Sequence, residues 1–221
     1  MGSRLVPHHL GRLTVLLAVS CVFVTGLLGA RYLGESEGGW LDQHAYLAIG
    51  KVFAGQEWLL HVMATPSEPI PVALMVTTVA VVAAVRRRPG VVALIIVGPV
   101  AAVVLASVIL KPLFGRTHGG GLVFPSGHTA SLVSVLTVLT LLAVATSNRR
   151  RRAIMVAVAL AGSLVLTVAL VTALVGLRYH YFTDTVGGFC SAVATVLVVA
   201  HLIDRIGVRP VIGPGVKDEL K

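Results

Sequence analysis

Six apolar runs, separated by short polar islands, set the pattern of this chain. They lie at about Leu13–Leu28, Ile70–Val85, Val91–Leu110, Thr129–Thr146, Ala153–Leu177 and Thr185–Ile203. In lipid, such a run can satisfy its backbone polar groups alone only as a helix, and about 20 residues cross the hydrocarbon. The pattern therefore predicts an all-α polytopic membrane protein with six transmembrane helices. The second run is short for a span, so its start is expected a few residues before Ile70. The first run is read as a retained helix, because five similar runs follow and no small-x-small cleavage site stands out. The long connection from Arg31 to Pro69 holds Glu35, Glu37, Asp42, Glu57 and Glu68. Within it, Leu41–Phe53 is compatible with a short amphipathic helix on the membrane surface, with Trp40, Tyr46 and Trp58 spaced as interfacial anchors.

Composition strengthens this reading. The 221 residues are 56% hydrophobic and 12% charged, half the charged fraction of an ordinary soluble domain, and the mean hydropathy is +0.92. The length fits one domain: residues 1–69 as the first helix and an extracytoplasmic connection, 70–203 as the main helix bundle, and 204–221 as a cytoplasmic tail. The formal charge of +9 does not point to nucleic acid, because the basic residues sit in clusters between apolar runs with few aromatics among them. The N-terminal arm, Arg86–Arg88, Arg149–Arg152 and the tail hold thirteen of the eighteen Lys and Arg residues. By the positive-inside rule both termini are expected in the cytoplasm. Cys21 and Cys190 lie in apolar runs and read as small buried residues. No Cys/His metal spacing occurs. Lys217–Leu220 resembles a retention tetrapeptide but is followed by Lys221, so it is taken as chance.

Three polar islands then fall on the same face, opposite the basic clusters. The first, Lys111–His118, carries Lys111 and Arg116, candidate phosphate ligands: Arg grips two oxygens at once, whereas Lys acts as a point charge. Pro112 and Gly115 break the helix between them, and Gly119–Gly121 reads as a flexible link. Snorkelling to the interface is the plainer role for both cations. The second island, Pro125–His128, precedes an apolar helix whose first N–H groups lack internal partners and favour an anion. Ser126 is suited to cap that helix and to donate to a phosphate oxygen, and Gly127 allows close approach to the backbone. In the third, His180 and Asp184 are four apart, on one face if helical. A carboxylate on one imidazole nitrogen would leave the other as base or nucleophile, although a self-satisfying polar pair at a helix end would look the same.

Taken together, the Lys- and Arg-bearing island, Pro-Ser-Gly-His and His-x-x-x-Asp resemble the three ordered motifs of the phosphatidic acid phosphatase type 2 superfamily of membrane lipid phosphatases. The resemblance runs from about Ile70 onward and implies a metal-free, cofactor-free phosphatase. It implies His180 as the nucleophile forming a phosphohistidine, Asp184 orienting it, and His128 as acid and then base. Lys111, Arg116, Ser126 and the Gly127 amide would hold phosphoryl oxygens. The chain departs from the family pattern twice. His118-Gly119 stand where the first motif usually has a second Arg-Pro, leaving Arg116 as its Arg, and Ala173-Leu174 stand where the third has Ser-Arg. Arg178 is hypothesised to supply the missing charge, which requires an irregular backbone there, since an ideal helix would point it away from His180.

The expected partners are the bilayer and a lipid phosphate: polyprenyl diphosphate, phosphatidylglycerol phosphate or phosphatidic acid, with a lean to the first. The alternatives are a lipid phosphotransferase using the same phosphohistidine and an inactive phospholipid-binding member. A transporter is disfavoured because broken-helix Gly/Pro pairs do not repeat in two halves.

Overall fold

A computed structural model of the protein describes residues 4–145 and 149–207. Among these the fold is all-α apart from one tiny hairpin. In chain order the helices are α1 (Gly11–Arg31), α2 (Trp40–Val52), α3 (Glu57–Ala64), α4 (Pro69–Val85), α5 (Pro89–Val104), α6 (Lys111–Phe114), α7 (Gly127–Val144), α8 (Arg149–Gly176) and α9 (Phe182–Ile206). Six stretches are long and apolar enough to cross a membrane: His8–Arg31, Glu57–Val85, Pro89–Phe114, Gly127–Val144, Arg150–Gly176 and Phe182–Ile206. Of the expected tail, 204–221, residues 204–206 continue α9 and those after Gly207 lie outside the described residues.

The second span begins at Glu57, well before the start suggested by hydropathy. Glu57, His61 and Glu68 dilute its apolar signal, and α3 joins α4 through a 3₁₀ turn at Thr65–Ser67. Pro66 and Pro69 sit in first turns, where a missing N–H costs nothing. The helix continues because Leu60 and Ala64 bury against Ala173 of α8.

Helices α7 and α9 form the centre, with α5, α1 and α8 packed around them. Membrane helices gain little from apolar burial against each other, so small residues at close crossings decide the packing. Helix α1 follows this rule. It buries Thr14, Ala18, Cys21, Thr25 and Gly29, one face at helical spacing, and turns Leu13, Leu16 and Phe23 outward. Cys21 and Cys190 are free and buried, as expected.

Two local features shape the end that carries the polar islands. Leu105–Leu110 is wound as a π-helix just before Lys111; Pro112, which has no N–H to donate, follows directly, and π turns are frequent at functional sites. Gly115 then ends α6 with φ +62°. The Gly119-Gly120 pair, at φ +57° and +83°, forms the turn of a two-residue hairpin. It pairs Thr117 with Leu122 and His118 with Gly121. The expected flexible link is thus a tight turn, since both central positions of such a hairpin need positive φ.

Candidate active site

All three connections on one face of the bundle meet around the first turn of α9. Helix α8 ends at Gly176, and Arg178 adopts φ +57°. The N–H groups of Tyr179 and His180 both turn back to the Leu174 carbonyl, at 2.9 and 3.2 Å. The irregular backbone that the Arg178 hypothesis requires is therefore present. His180 lies before α9 rather than within it, so the helical i, i+4 argument does not explain its approach to Asp184. The turn does: Asp184 occupies the third position of α9, and its Oδ2 accepts the Tyr181 N–H at 2.9 Å while lying 3.7 Å from His180 Nδ1. That separation is beyond a hydrogen bond. His180 is 7% exposed, and its Nδ1 has no hydrogen-bond partner among the described residues. The His128 ring on α7 stands 6.0 Å from it, centroid to centroid, at 67°.

Pro125–His128 is fastened directly to this turn. The Ser126 N–H donates to the Asp184 carbonyl at 2.9 Å, and the peptide bond before Pro125 is cis. Ser126 Oγ caps α7 by accepting from Thr129 N at 3.3 Å. The turn fits only because α9 presents Gly187 and Gly188 beneath it. A Cβ at Gly187 would lie 2.5 Å from the Phe124 ring, and one at Gly188 would lie 2.5 Å from the Ser126 carbonyl oxygen. Lys111 is half-buried and close enough to Asp184 and His128 for their charges to interact.

Arg116 is placed differently from the expectation of a ligand-facing cation. It is fully buried. Its Nη1 donates to Asp184 Oδ1 at 2.6 Å and to Thr183 Oγ1 at 2.7 Å, and its Nη2 donates to Asp42 Oδ2 at 2.8 Å. The rings of Tyr32 and Tyr181 sandwich the guanidinium at 4.0 and 4.3 Å, a favourable contact for a desolvated cation. Both terminal nitrogens are thus committed to carboxylates.

A cleft of about 260 Å³ opens beside His180, and Arg178, His118, Tyr46, Gln43 and Glu37 share its walls. The Arg178 guanidinium lies 4.2 Å over the Tyr46 ring. Tyr181 Oη donates to the Ser36 carbonyl at 2.7 Å, which leaves His118 Nδ1 as the donor in its 2.9 Å contact with the same oxygen. Burial raises the Tyr181 pKa above its ordinary value, partly opposed by the Arg116 charge. Lys111, Ser126, Gly127 and His128 do not line this cleft. His180 is thus the expected residue common to the cleft and to the His128 side. Among the described residues no cluster of three or more His, Cys, Asp or Glu is arranged to hold a metal.

Sequence reasoning missed Asp42, Thr183, Gly187 and Gly188 as site residues. The Gly187-Gly188 pair inside an apolar helix was a legible signal of close backbone approach. Asp42 gave none that set it apart from the four other acids of its connection.

A six-span helical bundle with two neighbouring imidazoles and a buried arginine at one end defines a class of membrane protein. The PAP2 superfamily model matches residues 92–207, just over half of the chain, and the chain belongs to that superfamily. No curated protein and no solved structure matches it.

Proposed function

We propose that this protein is a lipid phosphate phosphatase that works through a phosphohistidine without a metal ion. The observation that carries the reading is His180 on a cleft wall, with Asp184 3.7 Å from its Nδ1 and the His128 ring 6.0 Å away. Nδ1 faces Asp184, so Nε2 attacks phosphorus. The N–P bond forms as the bond from phosphorus to the leaving oxygen breaks, and His128 gives that oxygen a proton. His128 then takes a proton from water, the water oxygen attacks phosphorus, the N–P bond breaks, and inorganic phosphate leaves. Asp184 orients His180 and offsets the positive charge on its ring. Such chemistry depends mainly on positioning and charge stabilisation.

Lys111, Arg178, the Ser126 hydroxyl and the Gly127 amide are assigned to the phosphoryl oxygens. The turn of Arg178 into the same cleft as His180 supports its role in place of the missing motif arginines. Arg116, whose terminal nitrogens are engaged by Asp42 and Asp184, is assigned to hold the site rather than the substrate. The distribution of basic residues supports cytoplasmic termini and a site on the extracytoplasmic side of a cell membrane, where a lipid tail stays in the bilayer while its phosphate reaches His180, between the cleft and the His128 side. Polyprenyl diphosphate, phosphatidylglycerol phosphate and phosphatidic acid are the candidate substrates.

A second reading, transfer of the phosphate to an alcohol, is favoured by the cleft's polar walls at Glu37 and Gln43, beyond the groups that phosphate itself needs. One experiment tests both: phosphate release from a lipid-phosphate panel in detergent, with EDTA, for wild type and His180→Ala. Release that survives EDTA and is lost in the variant is expected. No release from any lipid by folded wild type would overturn hydrolysis. A phosphorylated product appearing only with added alcohol would select transfer.

A further inference from the structure

We propose that Asp42, on a surface helix outside the matched family region, is a positioning residue of this active centre. It takes up half of Arg116, so that Asp184 keeps its negative charge for His180. The inference rests on the phosphohistidine reading above.

The geometry carries the argument. Asp42 is 3% exposed although it lies on a short helix at the edge of the bundle. Helix α2 turns Asp42, Ala45, Tyr46 and Ile49 inward and leaves Trp40, Leu41 and Leu47 exposed. Every acceptor direction of the Asp42 carboxylate is used. Oδ1 accepts from Thr183 N at 2.8 Å and Thr183 Oγ1 at 2.9 Å, and Oδ2 accepts from Arg116 Nη2 at 2.8 Å and Gly39 N at 3.0 Å. One carboxylate therefore caps the first turns of both α2 and α9, where an anion is favoured.

The charge balance makes this more than a brace. The buried cluster holds one guanidinium and two carboxylates. Asp184 meets Arg116 at 2.6 Å, closer than it meets His180 at 3.7 Å. With Arg116 facing Asp184 alone, the pair would be neutral, and Asp184 would offer little attraction to an imidazole that gains charge in the reaction. Asp42 draws on the same guanidinium from its other terminal nitrogen and leaves the cluster with one net negative charge beside His180. At low local dielectric that difference is felt over the few ångströms involved.

The substitution Asp42→Asn removes the negative charge and turns an amide donor toward Arg116 or Thr183. The double variant Asp42→Asn/Arg116→Gln restores one net negative charge. The other charges around His180, namely Lys111, His128, Glu68, Arg178, His118 and Glu37, stay constant. In full-length protein in detergent, D42N is expected to lower kcat about tenfold per folded molecule, with KM changed less than about twofold. The double variant should recover part of that loss. His180 carbethoxylation by diethyl pyrocarbonate, read by peptide mass spectrometry, should follow the same order and needs no turnover. Wild-type kcat per folded molecule in D42N, or a double variant no better than D42N, would overturn the proposal. If D42N does not fold, the double variant is compared with Arg116→Gln: with the guanidinium gone Asp184 keeps its charge in both, so kcat and His180 reactivity should differ less than about twofold, and a double variant about tenfold or more below Arg116→Gln would overturn it. Wild type that releases no phosphate but shows the expected order of His180 reactivity would sink the phosphatase reading and leave the role of Asp42 standing.

Discussion

Replacing Gly188 with alanine probes the seam between the Pro-Ser-Gly-His turn and α9. The added Cβ would stand 2.5 Å from the Ser126 carbonyl oxygen and 3.1 Å from Thr129 Cβ. Ordinary contact begins near 3.4 Å, so about 0.9 Å has to be recovered. The first obstacle is backbone and the second is the root of a side chain, so no flexible group can swing aside. Helices α7 and α9 must part locally, and the 2.9 Å bond from Ser126 N to the Asp184 carbonyl, one turn away, is strained with them. Overpacking of this kind costs about 1–3 kcal/mol, which for a chain of this size lowers the melting temperature by roughly 2–12 °C. A displacement of about 1 Å between His128 and His180 can cost up to ~100-fold in turnover. The assay pairs a thermal melt in detergent with phosphate release at a temperature well below the melt. Gly162→Ala is the control, because a Cβ there meets nothing within 4 Å and alanine favours a helix. If Gly188→Ala melted and turned over like wild type, the close crossing and its role in seating the turn would both be refuted.

Arg178→Gly separates charge from backbone. Glycine accepts φ +57° without strain, so the variant should melt no lower than wild type while KM for the lipid phosphate rises about tenfold or more; an unchanged KM would remove Arg178 from substrate binding. Tyr181 gives a prediction in pH. Its pKa is raised by burial in the folded protein, so its contribution to stability is full below about pH 10, the unfolded value, and is lost as pH rises through the folded one. The melting temperature of wild type should therefore fall on alkaline titration above pH 10, and Tyr181→Phe should fall less; parallel curves would deny the raised pKa any energetic weight.

Much of the fold was legible in the residues. Six spans follow from hydropathy because lipid leaves an apolar run one way to satisfy its backbone. The three motifs are legible because turn chemistry and helix starts are local: Ser126 caps α7. An irregular backbone at Arg178 was a condition of only one reading of that residue, and the backbone there is irregular, with φ +57°. The early start of the second span was hidden because Glu57, His61 and Glu68 lower its hydropathy, while its continuity depends on packing against α8.

By itself, then, the sequence determined the class of protein, its spans and the motifs that meet at the candidate site, since each of these rests on local composition or short spacing. Only the tertiary structure decided which charges face one another. Arg116 and Asp42 are 74 residues apart and meet at 2.8 Å, and nothing in the neighbourhood of either residue announces the other. A buried charge must find a partner, but the partner is selected by how α2 lies across the start of α9. That packing turned an expected substrate ligand into the buried core of the site, left Arg178 on the cleft, and made two glycines of α9 the seat of the motif above them.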